Sequence, residues 1–296
     1  MSRRAASVVP ASDFVFIAAD SDVAVGLEVA VIAGAAQDSV HLEVALARLD
    51  AGGSVRGHIH FYEESFYVLE GEVLVSIDGH GFHLTANDFG YVPAGIPHAW
   101  ANRSDSPATW FRMRSPQPRE IAGTKGTFPS TAVAIPKSGG PVGDPHPNIP
   151  HVGHFADHHL PAPGPIAMRG YRGPNVKNVA IWMLVDEFIG ALHHTMFIVQ
   201  FLPGSTTHPM GDHFHPFEEA YYFLSGSALA YLEGQELEVN TGDLVFAGTN
   251  AMHGYQMTSQ EPVRWIEVQA PAPTGRGAFV FPSQWESLPA TKGAAQ

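Results

Sequence analysis

Residues 57–100, GHIHFYEESFYVLEGEVLVSIDGHGFHLTANDFGYVPAGIPHAW, decide the fold, because their pattern returns as residues 212–255, DHFHPFEEAYYFLSGSALAYLEGQELEVNTGDLVFAGTNAMHGY. Residue 57 aligns with residue 212, and the offset of 155 holds without a gap. It continues past these stretches, where Trp110 matches Trp265 and Pro116 matches Pro271. A repeat of this length indicates two copies of one domain.

The residue types within each copy predict strands joined by tight turns. In the first copy, β-branched and aromatic residues dominate 66–69 and 72–77, and the hairpin signal Asp78-Gly79 leads to a further strand at 82–84. The second copy predicts strands at 221–224, 228–232 and 237–239, with Glu233-Gly234 at the equivalent turn. The 30 glycines and 24 prolines of the chain also favour many short strands. We therefore predict an all-β fold.

The length of 296 residues favours two domains of about 150 residues each. We place the first domain at residues 1–122 and the second at 166–296. Residues 123–165 between them are dense in glycine, proline and histidine, a composition that sustains neither a helix nor a central strand. We interpret this segment as a linker.

Charge and cysteine content exclude several classes of function. The net charge of −13 would repel a nucleic acid or an anionic membrane, so we expect neither as a partner. The absence of cysteine excludes disulfides, thiolate nucleophiles and cysteine-ligated metals. The N-terminal residues lack the apolar core of a secretory signal, and we expect a soluble, cytoplasmic protein. The 17 histidines then become the main candidates for chemistry.

Four repeated residue positions have the spacing of a metal site. His58 and His60 would project from one face of a strand, with their Cα atoms about 6.6 Å apart. Glu64 can join them only if the chain turns at residues 61–63 and returns on a neighbouring strand, and His98 must arrive from another strand. The second copy repeats the set as His213, His215, Glu219 and His253. Three imidazoles and a carboxylate suit Mn, Fe, Co, Ni, Cu or Zn, with up to two ions per chain.

The motif Gly52-x5-His58-x-His60-x3-Glu64-x6-Gly71, followed by Pro93-x-Gly95-x2-His98-x3-Asn102, resembles the paired signature of the cupin superfamily. Its duplication is similar to that of a bicupin. The resemblance covers residues of about 40–118 and 195–273. It implies two tandem antiparallel β-barrels of jelly-roll type, each holding a divalent metal in its mouth through the residues His58, His60, Glu64 and His98, or His213, His215, Glu219 and His253.

The resemblance implies an enzyme that acts on a small, oxygen-rich metabolite able to chelate the metal. Our leading hypothesis is a dioxygenase-type oxidoreductase, with Glu64 and Glu219 as catalytic candidates. The alternatives are a manganese-dependent decarboxylase, an aminohydrolase, since the second copy loosely resembles (S)-ureidoglycine aminohydrolase, and a non-catalytic metal-binding or sensory bicupin. Bicupins often assemble through barrel faces, so the resemblance is also compatible with a homo-oligomer.

Four further residues are candidates for substrate contact. Arg112 and Glu267 lie on apolar strands two residues after Trp110 and Trp265, and they correspond under the same offset. A buried charge at that position requires a partner, such as a carboxylate or an anionic substrate. The complete set of candidates is Arg112, Gln256, Trp265 and Glu267.

Overall fold

The computed structural model describes residues 5–19, 22–120, 123–143, 152–166, 176–273, 279 and 281. Its strands are β1 (Ala6–Val9), β2 (Ile17–Ala18), β3 (Ala24–Ala33), β4 (Glu43–His60), β5 (Glu63–Glu70), β6 (Glu72–Ile77), β7 (His80–Thr85), β8 (Asp88–Val92), β9 (His98–Ala101), β10 (Ala108–Ser115), β11 (Thr127–Pro129), β12 (Gly140–Pro141), β13 (Val152–His154), β14 (Val179–Val185), β15 (Thr195–Phe201), β16 (Glu218–Ser225), β17 (Ser227–Leu232), β18 (Gln235–Asn240), β19 (Leu244–Ala247), β20 (His253–Met257) and β21 (Val263–Ala270). Short 3₁₀ helices span Ala11–Asp13, Ala35–Gln37, Asp157–His159 and Glu187–Ile189. The all-β prediction is confirmed, and no helix among the described residues is long and apolar enough to cross a membrane.

The internal repeat is visible in the strand bounds themselves. Four strands of the first copy begin and end 155 residues before their counterparts in the second: β5 before β16, β6 before β17, β7 before β18 and β10 before β21. For example, β5 spans 63–70 and β16 spans 218–225. Both predicted hairpin turns have left-handed backbone, with φ of 52° at Asp78 and 80° at Gly79, and 49° at Glu233 and 79° at Gly234. Positive φ at both central residues is the geometry that a two-residue hairpin needs.

Each copy of the repeat forms one lobe with its own apolar interior. The first lobe is a curled sheet in the order β12-β7-β6-β9-β4-β10-β5-β8-β13, joined by β2, β3 and β11. The second lobe consists of the sheets β1-β19-β16-β21-β15-β14 and β18-β17-β20. Side chains alternate along each strand, so one face of every central strand fills the barrel. Phe66, Trp100 and Trp110 pack inside the first barrel, and Phe223 and Trp265 inside the second.

A third apolar cluster joins the two lobes. On β10, Trp110 faces the barrel interior, while Phe111 and Met113 face the second lobe. There they belong to one buried cluster with Ile198 of β15 and Ile266 of β21. The apolar run of β10 is therefore explained by burial on both of its faces.

Two buried glutamates fasten this contact by hydrogen bonds between lobes. Glu63 and Glu218 are equivalent in the repeat, and each immediately precedes a candidate metal ligand. Glu218 accepts hydrogen bonds from the Ser39 hydroxyl at 2.7 Å and from the backbone N–H groups of Val40 (2.8 Å), His41 (2.9 Å) and Leu42 (3.2 Å). Glu63 accepts from the N–H groups of Leu192 and His193, each at 3.0 Å, and its carboxylate lies 3.3 Å from His194 Nδ1. Burial raises the pKa of Glu63, but the neighbouring His194 and the N–H groups of His193 and Leu192 outweigh it and hold that pKa at about 2.

The peripheral strands cross the domain bounds that the sequence predicts. β1, within residues 1–122, pairs with β19 of the second lobe, with Ala6 opposite Ala247. β11, β12 and β13, within the predicted linker, pair with β4, β7 and β8 of the first lobe. Composition indicated only that this segment holds neither a helix nor a central strand, and it carries no information about the short strands that pair with the first lobe. Residues 144–151, with two of the linker histidines, lie outside the described residues, and the domain bounds stay a prediction.

Candidate metal centres

The second lobe brings its four candidate ligands together. One donor atom from each of His213, His215, Glu219 and His253 lies within 4.8 Å of the other three. Glu219 is on β16 and His253 begins β20, while His213 bridges to His253 just before β16. Each histidine donates its Nδ1–H to a backbone carbonyl, at 2.9 Å for His213 and Gly211, 2.7 Å for His215 and Phe217, and 3.0 Å for His253 and Ala251. Because a carbonyl only accepts, Nδ1 carries a hydrogen, and in the neutral form of each ring Nε2 keeps a lone pair directed at the centre.

These donors fit a divalent cation. Glu219 Oε2 lies 2.7 Å from His215 Nε2 and 3.1 Å from His253 Nε2, so acceptor atoms face one another and a positive charge between them would relieve the repulsion. Burial, followed by the charge of His253, lowers the pKa of His213 well below its ordinary value. Burial raises the pKa of Glu219, but His215 outweighs it and that pKa lies well below the ordinary value. Neutral imidazole and ionised carboxylate are the forms that bind metal.

A polar chain lies behind this cluster. Gln269 donates to Glu219 Oε1 at 2.7 Å and to Glu267 Oε1 at 3.3 Å, and Trp265 Nε1 donates to Glu267 Oε2 at 3.0 Å. The Tyr221 hydroxyl hydrogen bonds to Glu219 and lies 3.0 Å from His253 Nε2. Burial, followed by the charge of Glu219, raises the pKa of Glu267 well above its ordinary value. The ligand carboxylate is thus held by donors from two strands.

Phenylalanines cover the second cluster. Phe217 stacks on His215 with ring centroids 3.8 Å apart, and Phe281 stacks on His213 at 5.0 Å. Phe279 packs edge-on against Phe217 at 5.4 Å, and these three phenylalanines form a small buried cluster of their own. The cover limits the contact of the histidines with water, which strengthens electrostatic interactions at the centre.

The first lobe brings together its three histidines and leaves its glutamate aside. The ligand atoms of His58, His60 and His98 lie within 4.8 Å of one another, and His60 Nε2 is 3.1 Å from His98 Nε2. Glu64 Oε2 lies 3.5 Å from His60 Nε2 but only 2.7 Å from Arg114 Nε. Glu64 is therefore committed to an ion pair with Arg114. In the described part of the chain, no lysine or arginine forms an ion pair with Glu219, whose charged neighbours are His215 and His253.

Burial and two arginines set the protonation of the first cluster. Burial, followed by the charge of His98, lowers the pKa of His58 to about 3. Burial raises the pKa of Glu64, but Arg114 and Arg112 outweigh it and hold that pKa at about 2. Nδ1 of His58 donates to the Arg56 carbonyl at 2.7 Å, and the first cluster thus also has neutral imidazoles. These histidines can hold an ion, but that ion would compete with Arg112 and Arg114 for the Glu64 carboxylate.

His60 is oriented from the predicted linker. Thr127 of β11 places its hydroxyl 3.1 Å from His60 Nδ1 and 2.9 Å from the Tyr62 hydroxyl. The pairing of β11 with β4 puts Thr127 directly opposite His60. A hydrogen bond to the second ring nitrogen fixes the tautomer of a ligand histidine and raises its basicity.

We therefore expect Thr127→Val to weaken metal binding in the first lobe by about tenfold, because outer hydrogen bonds of this kind contribute 10- to 100-fold. The measurement is a competition titration of Co²⁺ against a chromophoric chelator, in a background where His213 and His215 are replaced by alanine. Thr131→Val, at an exposed position four residues along, is the matched control. Equal affinities for the two threonine variants would contradict this role.

Comparison with known proteins places this geometry in a family. The Cupin domain model matches residues 45–113 and 197–269, which are the cores of the two lobes and contain every candidate ligand. The chain is a bicupin. Over 252 residues, 73% of the bicupin and 70% of the relative, it is 23% identical to quercetin 2,3-dioxygenase of Bacillus subtilis (strain 168).

Solved structures share the fold of the bicupin over nearly its whole length. It is similar to the formate complex of Lactobacillus farciminis oxalate decarboxylase, with a TM-score of 0.62, 18% identity, and coverage of 98% of the bicupin and 91% of that chain. Oxalate decarboxylase of Bacillus subtilis at pH 4.6 gives a TM-score of 0.61 and 18% identity, over 98% and 81% of the two chains. These similarities establish two tandem cupin barrels.

The structure brings most of the predicted substrate candidates to the centres. Arg112 is buried beside Glu64, with 4.0 Å between Arg112 Nε and Glu64 Oε2, and Trp265 and Glu267 lie behind Glu219. Gln256 does not reach the second centre. His253 and Tyr255 point inward from β20, so the residue between Tyr255 and Met257 is exposed on the other face, where Gln256 accepts a hydrogen bond from the Tyr231 hydroxyl at 3.2 Å.

Sequence reasoning missed three residues that contact the candidate ligands or their neighbours: Arg114, Gln269 and Thr127. Two of them carried a usable signal, since Arg114 and Gln269 follow Arg112 and Glu267 by two positions on a strand and share the 155-residue offset. Thr127 carried none, because only the pairing of β11 with β4 brings it to His60.

Proposed function

We propose that this bicupin is a metal-dependent enzyme of dioxygenase type, that it acts on a small oxygen-rich metabolite able to chelate the ion, and that the second lobe is its working centre. The carrying observation is the convergence of four donor atoms from His213, His215, Glu219 and His253 within 4.8 Å. The similarity to quercetin 2,3-dioxygenase supports the dioxygen-dependent version of this chemistry.

His213, His215, Glu219 and His253 would hold a divalent ion, and that ion would supply Lewis-acid or redox activation of a substrate oxygen. The protein holds the site in a fixed shape, since backbone carbonyls orient every imidazole of the second cluster. Gln269 and Tyr221 fix the Glu219 carboxylate from two sides. Glu219 Oε2 is also the acceptor placed to take a proton from a substrate hydroxyl bound at the centre.

The two lobes differ in their fitness for this role. Glu219 is held by an amide and a phenol, which leave its negative charge available to an ion. Glu64 is neutralised by Arg114 at 2.7 Å and approached by Arg112 at 4.0 Å. We therefore assign the tighter metal site and the chemistry to the second lobe, and a weaker metal site to the first.

The test is turnover by the protein loaded separately with Mn²⁺, Fe²⁺, Ni²⁺, Cu²⁺ or Zn²⁺. The panel consists of quercetin and of small keto, enol, catechol and ureido acids, with oxygen uptake, carbon dioxide and ammonia recorded together. The proposal predicts oxygen uptake with at least one compound and one metal. Carbon dioxide or ammonia release without oxygen uptake would instead support the decarboxylase or aminohydrolase alternatives, and no turnover in any loaded form would favour a sensory or structural bicupin.

Two further properties belong to the same proposal. We propose a cytoplasmic location, because the chain contains no cysteine and therefore no disulfide of the kind that stabilises secreted proteins. We also propose a homo-oligomer, because bicupins often assemble through their barrel faces. Light scattering of the purified protein measures the second property directly.

A further inference from the structure

Equivalent strands of the two barrels, β10 and β21, carry side chains of different charge at the same positions. Trp110, Arg112 and Arg114 on β10 correspond to Trp265, Glu267 and Gln269 on β21, each pair 155 residues apart. The strand registers agree as well, because Arg112 lies opposite Phe66 and Glu267 lies opposite Tyr221, another equivalent pair. The hydrogen bonds of Trp265, Glu267 and Gln269 can therefore be compared directly with those of Trp110, Arg112 and Arg114.

In the second lobe the central group of this set is an acceptor. The Glu267 carboxylate accepts from the Trp265 indole at 3.0 Å and from the Gln269 amide at 3.3 Å. Its two oxygens thus receive donors from both neighbours on the strand, and both donors are satisfied.

In the first lobe all three groups are donors. Trp110 Nε1 and Arg112 Nε are buried and have no hydrogen-bond partner in the described part of the chain. The residues themselves are 2% and 6% exposed. The nearest carboxylate oxygen to Arg112 Nε is that of Glu64 at 4.0 Å, which already accepts from Arg114 at 2.7 Å. An unsatisfied buried donor costs about 1–3 kcal/mol, and more when it is charged, so this arrangement lacks an acceptor.

The charge balance of the first lobe leads to the same conclusion. Two arginines, Arg112 and Arg114, face two buried carboxylates, Glu64 and Glu43, the latter 3.5 Å from Arg114. These charges cancel when no ion is bound. A divalent cation on His58 and its two partner histidines would leave two uncompensated positive charges in a buried site, which favours an anionic ligand beside it.

We infer that the first lobe binds a small carboxylate, whose oxygens accept hydrogen bonds from Trp110 Nε1 and the Arg112 guanidinium. The proposed function assigns the chemistry to the second lobe, whereas this site lies in the first. A test of carboxylate binding is therefore independent of the proposed function. The burial of Trp110 and Arg112 restricts the ligand to a few non-hydrogen atoms.

The experiment is titration calorimetry of the full chain, free of metal, with sodium acetate and sodium propionate as probes and with sodium chloride and sodium phosphate at equal ionic strength. The titrations with acetate, propionate and chloride are repeated with Mn²⁺ bound, where the added positive charge should tighten the binding of the carboxylates. We expect saturable binding of the carboxylates that exceeds the binding of chloride and phosphate. Arg112→Gln should weaken it by about 10- to 100-fold, because a hydrogen bond to a charged group contributes about 1.5–3 kcal/mol. Trp110→Phe, which keeps the aromatic packing, should weaken it by about tenfold.

Trp182→Phe is the matched control, because it removes another buried indole N–H without a hydrogen-bond partner, on β14 and away from the first barrel, and it should bind acetate as the unmodified protein does. Absence of saturable carboxylate binding in the unmodified protein would overturn the inference. It would also be overturned if Trp110→Phe and a folded Arg112→Gln both bound acetate normally. Stronger binding of phosphate, lost in the same variants, would overturn the carboxylate assignment and identify a phosphate site.

Discussion

Replacing Glu219 with glutamine should reduce turnover by at least about 100-fold, the largest change in activity that we expect from a single conservative substitution. Loss of an outer partner of a metal ligand already costs 10- to 100-fold, and among the described residues Glu219 is the only carboxylate in the cluster with His213, His215 and His253. Glutamine keeps the size of the side chain but supplies no negative charge to the ion. Affinity for the metal should fall together with turnover.

Glu64→Gln is the matched control, since it makes the same change at the equivalent position of the first lobe. Because Glu64 is paired with Arg114, this substitution should leave at least half of the turnover and should mainly lower the melting temperature. Oxygen uptake by both variants, loaded with the metal that supports activity, is the measurement. Equal losses in the two variants would mean that both lobes act, and a loss in Glu64→Gln alone would assign the chemistry to the first lobe.

Glu218→Ala should lower the free energy of unfolding by about 3 kcal/mol or more. Removal of the carboxylate leaves the N–H groups of Val40 and His41 without their acceptor in a contact between lobes. The Ser39 hydroxyl and the Leu42 N–H group lose their contact with the carboxylate and keep only their hydrogen bonds to the Leu42 carbonyl and to Ser39 Oγ. Each unsatisfied buried donor costs about 1–3 kcal/mol, although water entering the gap recovers a part of this. The loss should be expressed as unfolding, since Glu218 itself points away from the metal cluster and into the other lobe.

Urea denaturation followed by circular dichroism measures this loss as a shift of the transition midpoint. Glu238→Ala, an exposed glutamate on β18, is the control and should change stability by no more than about 0.5 kcal/mol. A midpoint for Glu218→Ala equal to that of the control would show that the contact between the lobes does not depend on this carboxylate.

The sequence was sufficient for the parts of the fold that local patterns determine. The predicted turns at Asp78-Gly79 and Glu233-Gly234 are present, because glycine and its neighbour there adopt positive φ. The expectation that the chain turns between His60 and Glu64 is met by the end of β4 at His60 and the start of β5 at Glu63. Alternation along a strand and a repeated offset are properties of residue order alone, and they carried these predictions.

The features that the sequence did not predict depend on the pairing of distant strands and on which side chains then compete for one partner. No property of Ala6 or Thr127 in the sequence indicates that β1 joins the second lobe or that β11 covers His60. The commitment of Glu64 to Arg114 depends on which strand lies beside β5. Gln256 was placed at the second centre by its proximity to His253 in sequence, but β20 alternates and directs it outward.

Site-specific metal occupancy tests the central claim most directly. Crystals of the protein with one molar equivalent of Mn²⁺ or Co²⁺ would show the position of the ion by its anomalous scattering. We predict a strong peak about 2 Å from the donor atoms of His213, His215, Glu219 and His253, and a weak peak or none at the first cluster. A peak at His58, His60 and His98 with no peak at the second cluster would contradict the account.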